Sequence, residues 1–341
     1  MAESVAWYRQ SGREGDVVIS TRVRLARNLC GYPFPDGMTA DQRREVCDKV
    51  RQALERQEET WRFYDMASLS PRQAQTLVER HLISPEFAAC EEGCGLFLSQ
   101  DESVSIMVCE EDHLRIQALG AGMALDELYA LLDRLDDRLE EELHFAFDER
   151  LGYLTQCPTN LGTGLRASVM LHLPALQERG ILQPLANTVA KLGLTIRGMY
   201  GEGSKSEGAL YQLSNQVTLG VSEGAAVNTL KTVVDQILQR ERAAREEMVK
   251  TPLAVDRIYR SLGLLQNARL LPHEEAMRLL SFLRVGVSTG VLEGISMDTL
   301  NGLMYDVQPA AVMQAAGEEL EAAQRDAARA RTVREALKEG R

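Results

Sequence analysis

The sequence predicts an α+β fold in which a strand-bearing region gives way to an almost wholly helical one. Three observations carry this reading. Short segments before about residue 222 alternate apolar and polar side chains with the two-residue period of a strand. From Ala225 to Glu247 the apolar residues Val227, Leu230, Val234, Ile237 and Leu238 recur at helical spacing. Thr251-Pro252 then breaks that helix, because the residue before a proline resists the α conformation. Strands in one part of the chain and helices in another are the pattern of an α+β protein. Residues 1 to about 150 mix both elements, and 150 to about 222 read as strands joined by loops around one helix. The tail from about Val312, dense in Ala, Glu and Arg, favours a long exposed helix. The proline break divides the chain into 1–250 and 251–341.

The 341 residues suffice for one large or two ordinary domains. A hydrophobic fraction of 45% and a charged fraction of 26% are those of a globular protein. A net charge of −12 argues against direct nucleic-acid or anionic-membrane binding. No apolar run approaches the roughly 18 residues of a membrane span, and no charged start leads into an apolar signal core. The six cysteines show no paired framework, which suits a reducing cytoplasm. Cys90 and Cys94 have a near-zinc spacing, but no second pair follows and no zinc site is expected.

The strand candidates share a feature. In Val17 to Leu25, Val17, Ile19, Val23 and Leu25 fall on one parity and Ser20, Arg22 and Arg24 on the other. Ser103 to Ile116 reads as a strand with a bend at Glu110-Glu111-Asp112, placing Glu111, His113 and Arg115 on the polar side. From Leu165, the residues Ala167, Val169, Leu171 and Leu173 continue an inward face, with Arg166, Ser168, Met170 and His172 outward. Leu194 to Gly201 sets Arg197 opposite Leu194 and Ile196. One arginine on a strand is an ordinary solvated face. If these strands share a sheet, however, Arg22, Arg24, Arg115, Arg166 and Arg197 crowd together in an acidic protein. Such a cluster needs an anion to neutralise it, and a triphosphate can occupy several guanidinium groups. The chain has no Gly-x-x-x-x-Gly-Lys-Ser/Thr loop and no His-Arg-Asp or Asp-Phe-Gly element, so neither a P-loop nor a protein-kinase fold holds that triphosphate.

Four ordered motifs now name a family. Cys-Pro-Thr-Asn-Leu-Gly-Thr (157–163) with Arg166 is joined by Ser20-Thr21-Arg22-Val23-Arg24, by Glu110-Glu111-Asp112-His113-Leu114-Arg115, and by Arg197-Gly-Met-Tyr-Gly-Glu202. Together they resemble the phosphagen (guanidino) kinase family. The resemblance implies an antiparallel sheet flanked by helices, in the glutamine-synthetase-like catalytic fold, followed by a C-terminal all-α domain. It implies ATP as phosphoryl donor with Mg²⁺ bridging the phosphates and no metal ligand from the protein's own side chains. The nucleotide site would comprise Ser20, Thr21, Arg22, Val23 and Arg24; Arg115; Arg166, Ala167, Ser168, Val169 and Met170; and Arg197, Gly198, Met199, Tyr200, Gly201 and Glu202. His81, in Arg-His-Leu-Ile-Ser-Pro, matches a nucleotide-contacting histidine of the family; read alone, it is an ordinary structural histidine.

The same likeness implies roles at the acceptor. A guanidinium is protonated and a poor nucleophile, since its pKa exceeds about 12. Glu111 matches the family's catalytic glutamate, Glu202 a second carboxylate of arginine-specific members, and Cys157 the cysteine that touches the acceptor. Nearby arginines would draw Cys157 toward a thiolate able to pair with the substrate cation.

Within the family the chain is most similar to the bacterial protein-arginine kinases. Small-metabolite members carry an additional helical domain before the Ser-Thr-Arg-x-Arg strand, which here begins at Ser20. The expectation is that this domain is absent and the acceptor site is open to an arginine on a protein. Arg325, Asp326, Ala327, Ala328, Arg329 and Ala330 match that branch's Arg-Asp-x-x-Arg-Ala motif, which implies an allosteric phosphoarginine pocket. Without the likeness they would read as an Ala-rich helical turn with an ion pair. The implied partners are misfolded protein substrates, a heat-shock transcription repressor, a Clp unfoldase/protease, a small zinc-type activator and a second copy in a homodimer. The alternatives are a small-metabolite arginine kinase, or a non-catalytic adaptor of a stress repressor.

Overall fold

In the computed structural model, which describes residues 6–57, 59–90, 92–198 and 207–339, the alternating segments become strands. In chain order they are β1 (Val18–Arg27), β2 (Trp61–Asp65), β3 (Gly95–Ser99), β4 (Val104–Val108), β5 (Leu114–Ala121), the short pair β6 (Phe147–Asp148) and β7 (Gly152–Tyr153), β8 (Leu165–His172), β9 (Leu194–Gly198) and β10 (Leu210–Asn215). Eight of them form one sheet in the order β2-β3-β4-β5-β1-β8-β10-β9, and every described pairing in it is antiparallel. The helices that precede the proline break are α1 (Ala40–Glu55), α2 (Pro71–Glu79), α3 (Pro85–Ala88), α4 (Leu125–Leu143), α5 (Pro174–Glu178), α6 (Leu182–Ala190) and α7 (Glu223–Met248). One helix was expected between residues 150 and 222; α5 and α6 are two. Helices α1, α4 and α7 press on one sheet face. There Val23, Leu25, Ala167 and Val169 meet Leu132, Leu135, Leu230 and Val234, all essentially removed from water.

Two departures from strict alternation matter. The register of β1 against β8 shifts between Val18, opposite Leu171, and Ser20, opposite Met170. The extra residue is Ile19, and a bulge of this kind re-aims the side chain it inserts. Val18 therefore joins the main core, whereas Ile19 joins a second core built by the C-terminal helices. The expected single strand from Ser103 to Ile116 is instead a hairpin: β4 and β5 pair with each other, and the Glu110-Glu111-Asp112 bend is its connection.

Two histidines assigned to the polar side by parity are fully buried. His113 accepts a hydrogen bond from Leu29 N at 2.9 Å and donates to Pro33 O at 2.8 Å. His172 accepts from Arg245 Nη2 at 3.0 Å and donates to Ser281 Oγ at 2.7 Å. Both act as connectors between segments that parity says nothing about. The reading of six unpaired cysteines is also corrected, since Cys90 and Cys94 are joined in a disulfide.

After Thr251, which caps the next helix through its side chain, come α8 (Pro252–Asn267), α9 (His273–Ser288), α10 (Met297–Asp306), α11 (Pro309–Ala316) and α12 (Ala322–Glu339). The tail is not one exposed helix. Gly317 ends α11 in the left-handed conformation, and Ala330, Val333 and Leu337 of α12 are buried. These helices enclose Leu265, Leu280, Leu283 and Leu300, and they also take in Ile19 of β1 and Leu210 of β10. No helix among the described residues is long and apolar enough to cross a membrane.

Candidate active site

The sheet face away from α1, α4 and α7 carries the even-numbered side chains of β1. Arg22 and Arg24 lie two residues apart there, and Arg24 is directly opposite Arg166 on β8. Arg22 faces Ser168, which is opposite Ser214, while Arg197 on β9 is opposite Gln212 on β10. Arg115 projects from β5, opposite Ala26. Parity alone does not make an arginine a ligand of this face. Arg27, on the odd side of β1, donates to Asp136 of α4 at 2.6 to 3.1 Å and stacks on Tyr153 at 3.5 Å.

Carboxylates offset the cluster only at its Arg115 end. Burial together with Arg115 and Arg166 lowers Arg22 to about 10, and burial with Arg22, Arg115 and Arg166 pushes Arg24 well below its ordinary value. Arg166 is lowered by burial, Arg197 and Arg115. A guanidinium stays protonated under these conditions, so the shifts report burial first and mutual repulsion second, and a bound anion would offset both. Among the described residues, the buried Nε atoms of Arg24 and Arg166 have no hydrogen-bond partner. A cavity of about 680 Å³ lies against this face, lined by Ser20, Arg22, Arg24, Arg115, Ser168 and Met170, with His81 on its wall. That volume suits a nucleotide-sized ligand.

Carboxylates gather at one end of the row. Arg115 is paired by Glu110, which also accepts from Ser84 Oγ at 2.6 Å. Glu111 accepts from Arg115 Nη2 and from Asn160 Nδ2, each at 3.4 Å, and its side chain stays 37% exposed. Asp112 turns inward, accepting from Asn28 Nδ2 at 2.6 Å and from Gln156 N at 2.7 Å. That single carboxylate ties the hairpin connection bearing Glu111 to the segment bearing Cys157. Cys157 Sγ lies 3.1 Å from Thr159 Oγ1. The glycines that follow have a steric reason. A β-carbon on Gly162, whose φ is +107°, would sit 2.3 Å from Thr218 O; one on Gly164 would sit 2.6 Å from Ala26 O. Only a bare backbone lets this loop fold tightly enough to bring Cys157 and Arg166 to the same end.

Other expected nucleotide contacts fall differently. Thr21, Val23, Ala167 and Val169 point to the helix side, and Thr21 Oγ1 donates to Gly122 O at 2.6 Å. Their contribution to the cavity is backbone position alone. Gly198 ends β9; Met199, Tyr200, Gly201 and Glu202 lie outside the described residues. His81 adopts a left-handed backbone, with φ of 60°. Burial, then Arg22, lowers it to about 4, which leaves a neutral ring on the cavity wall. The Arg-Asp-x-x-Arg-Ala segment is elsewhere, on α12. Arg329 is 2% exposed and donates to Val307 O, Leu271 O and Asp326 Oδ1 at 2.7 to 2.9 Å; Arg325 donates to Leu320 O. Ala330 is buried beside Arg329, and Ala327 and Ala328 are half-buried.

A row of guanidiniums with more positive than negative charge around it, ending at a partly exposed carboxylate and a thiol, is built to hold phosphates beside a cationic acceptor. Comparison with known proteins agrees. The family model for "ATP:guanido phosphotransferase, C-terminal catalytic domain" matches residues 44–244. The chain belongs to the ATP:guanido phosphotransferase family. A second model, for "Protein-arginine kinase McsB C-terminal domain", matches residues 252–341. The chain is 43% identical over 337 residues to a protein-arginine kinase of Clostridium acetobutylicum, covering 97% of this chain and 99% of that one. It is 45% identical over 335 residues to that of Pelotomaculum thermopropionicum, covering 96% and 94%. Among solved structures it is similar to the duplicated taurocyamine kinase of Schistosoma mansoni with bound transition-state-analog components, at 30% identity and a TM-score of 0.62. That match covers 72% of this chain and 37% of the duplicated one.

Within an ATP:guanido phosphotransferase, three further residues stand out that the motifs did not single out for a role: Glu110 as partner of Arg115, Asp112 as the clamp, and Asn160 on Glu111. All three sit inside quoted motifs. An acidic run of three on a hairpin connection was the available signal that each carboxylate has a different task.

Proposed function

We propose that the chain transfers the γ-phosphoryl group of ATP to the guanidinium of arginine side chains in proteins. The observation that carries this reading is the row of Arg22, Arg24, Arg115 and Arg166 ending at the partly exposed Glu111. The arginines spread the charge of the triphosphate and of a loose phosphoryl transition state. Glu111 orients the acceptor guanidinium and takes its proton as the new N–P bond forms and the bond from Pγ to the ADP oxygen breaks. Cys157, at the same end, packs against the acceptor's other edge.

No cluster of three metal-ligating side chains occurs among the described residues, and Glu110 and Glu111 are engaged with Arg115. Mg²⁺ would be held by the ATP phosphates facing the arginines, where it would offset their charge. The protein acceptor is taken from the relatives, which are named protein-arginine kinases. The same reading extends to Arg325, Asp326 and Arg329 as a regulatory phosphoarginine site. It extends also to misfolded substrates passed to a Clp protease, a heat-shock repressor, a zinc-type activator, a homodimer and a cytoplasmic setting.

The test is mass spectrometry under neutral conditions after incubation with Mg-ATP and a protein, with free arginine as the competing acceptor. Phosphoarginine in the protein is the expected product, and Glu111→Gln should bind ATP yet transfer at least 100-fold more slowly. Modification of free arginine alone would overturn the protein acceptor; near-normal transfer by Glu111→Gln would overturn its role as base.

A further inference from the structure

The cavity has a second end. Along β1 the phosphate-facing residues run Arg24, Arg22, Ser20, each step about 6.7 Å, and Ser20 is opposite Met170, itself opposite Gln212. With the triphosphate on the arginines and its γ end at Glu111, the base of the nucleotide lies toward Ser20 and beyond it. That end is not closed by the sheet's own loops alone. His81 meets Tyr305 of α10 edge-on at 6.1 Å, and His273, Gln308 and Pro309 line the cavity from the C-terminal helices.

Gln308 is the polar group best placed among these. It is 6% exposed, and its Nε2 donates to Met304 O at 3.0 Å, which fixes the orientation of the amide. The remaining atom, Oε1, is an acceptor, and a hydrogen bond to the His273 ring leaves it a second lone pair. Its backbone setting is equally fixed. Arg329 holds the carbonyl of the preceding Val307, and Glu79 on the cavity wall accepts from Ala310 N at 2.8 Å and Ala311 N at 2.9 Å. A buried, oriented amide oxygen at the end of a nucleotide cavity distinguishes bases by the group each presents. Adenine offers an exocyclic amine, a donor; guanine offers a carbonyl oxygen there, which would face another acceptor.

We propose that the C-terminal helical unit reads the nucleotide base, with the Gln308 amide oxygen accepting from the adenine amine and selecting ATP over GTP. This rests on the nucleotide site assigned above and adds to it a specificity determinant outside the residues matched by the catalytic-domain model. The oxygen rejects guanine because an unpaired buried acceptor is costly, and discrimination of this kind is worth about 10- to 100-fold.

The experiment compares kcat/KM for ATP and GTP in the full chain and in Gln308→Met, which keeps the length and removes the amide. The ATP-to-GTP ratio should fall at least about tenfold through KM, with kcat at saturating ATP retained. An unchanged ratio overturns the proposal. A second measurement on the unaltered chain guards against a misfolded variant. ADP should slow backbone hydrogen exchange around Gln308 more than inorganic tripolyphosphate does; equal protection by the two overturns base reading. Arg24→Met separates the layers. If ATP binding survives that change, the phosphate row itself is misassigned; if binding is lost while the Gln308→Met ratio is unmoved, only the base reading falls.

Discussion

Removing Arg24 should make the nucleotide-free protein more stable while destroying its affinity for ATP. Arg24 faces the cavity between two like charges: Arg22 two residues along the same strand and Arg166 directly opposite. Strand geometry puts the first neighbour about 6.7 Å away at the backbone, and cross-strand β-carbons about 5 Å apart. With guanidinium heads at about 7 Å and an effective dielectric near 20, each pair repels by about 332/(20 × 7), or roughly 2.4 kcal/mol. Water in the open cavity and counterions screen the sum of about 5 kcal/mol to roughly 1–3 kcal/mol. The methionine of Arg24→Met keeps the apolar stem that packs on the sheet, so little is lost in exchange. At about 2 °C per kcal/mol for a chain of this size, melting should rise by roughly 2–6 °C. Differential scanning fluorimetry at low and high salt, with and without ATP, reads all of this. The gain should shrink at high salt, and ATP should raise the melting point of the parent chain but not of the variant. A variant that melts at or below the parent in low salt, without nucleotide, would refute the idea that the empty row is under electrostatic strain.

Two further expectations follow from buried groups. Burial lowers His81 to about 4 and lowers His113, His172 and His273 as well. The unfolded chain therefore binds protons below its ordinary histidine value of about 6.5 that the folded chain refuses, so stability falls as pH drops from there toward about 4, by up to about 1.4 kcal/mol per pH unit for each histidine. Urea unfolding followed between about pH 7 and about pH 5 checks this; a flat profile would contradict it. Asp112→Ala should release the Gln156 backbone and Asn28 from the hairpin connection, lowering kcat roughly 10- to 100-fold with little change in KM for ATP. An intact kcat would show that Glu111 and Cys157 are aligned by something else.

How far the sequence went depends on which residues touch only their own strand. Arg22, Arg24, Arg166 and Arg197 were legible because a two-residue period determines their side of the sheet once the strands are found. His113 and His172 were misplaced because their partners, Leu29, Pro33, Ser281 and Arg245, come from remote segments. Ile19 was misplaced for a different reason: a bulge costs one residue of register, and nothing in Val-Ile-Ser-Thr announces it. Strand β10 lacked a clean alternation, since Tyr211 and Gln212 are both half-buried between the sheet and the cavity. Of the site, the acceptor end was written in contiguous motifs. The base end was legible only in part: His81 and Met170 came with the family likeness, whereas Gln212 and Gln308 join them on the cavity wall only once the whole chain has folded.

The bulge at Ile19 also has a bearing on where the chain can be cut. Ile19 and Leu210 belong to strands of the sheet, yet the apolar neighbours that shield them include Leu280 and Leu283, beyond the Thr251-Pro252 break. Severing the chain at that break would bare these side chains beside the mouth of the cavity, producing a catalytic fragment with an adhesive edge and a helical fragment with a matching one. The proline marks the joint between two helices, α7 and α8, whereas the seam of packing runs elsewhere, through the strand that carries the phosphate-binding arginines.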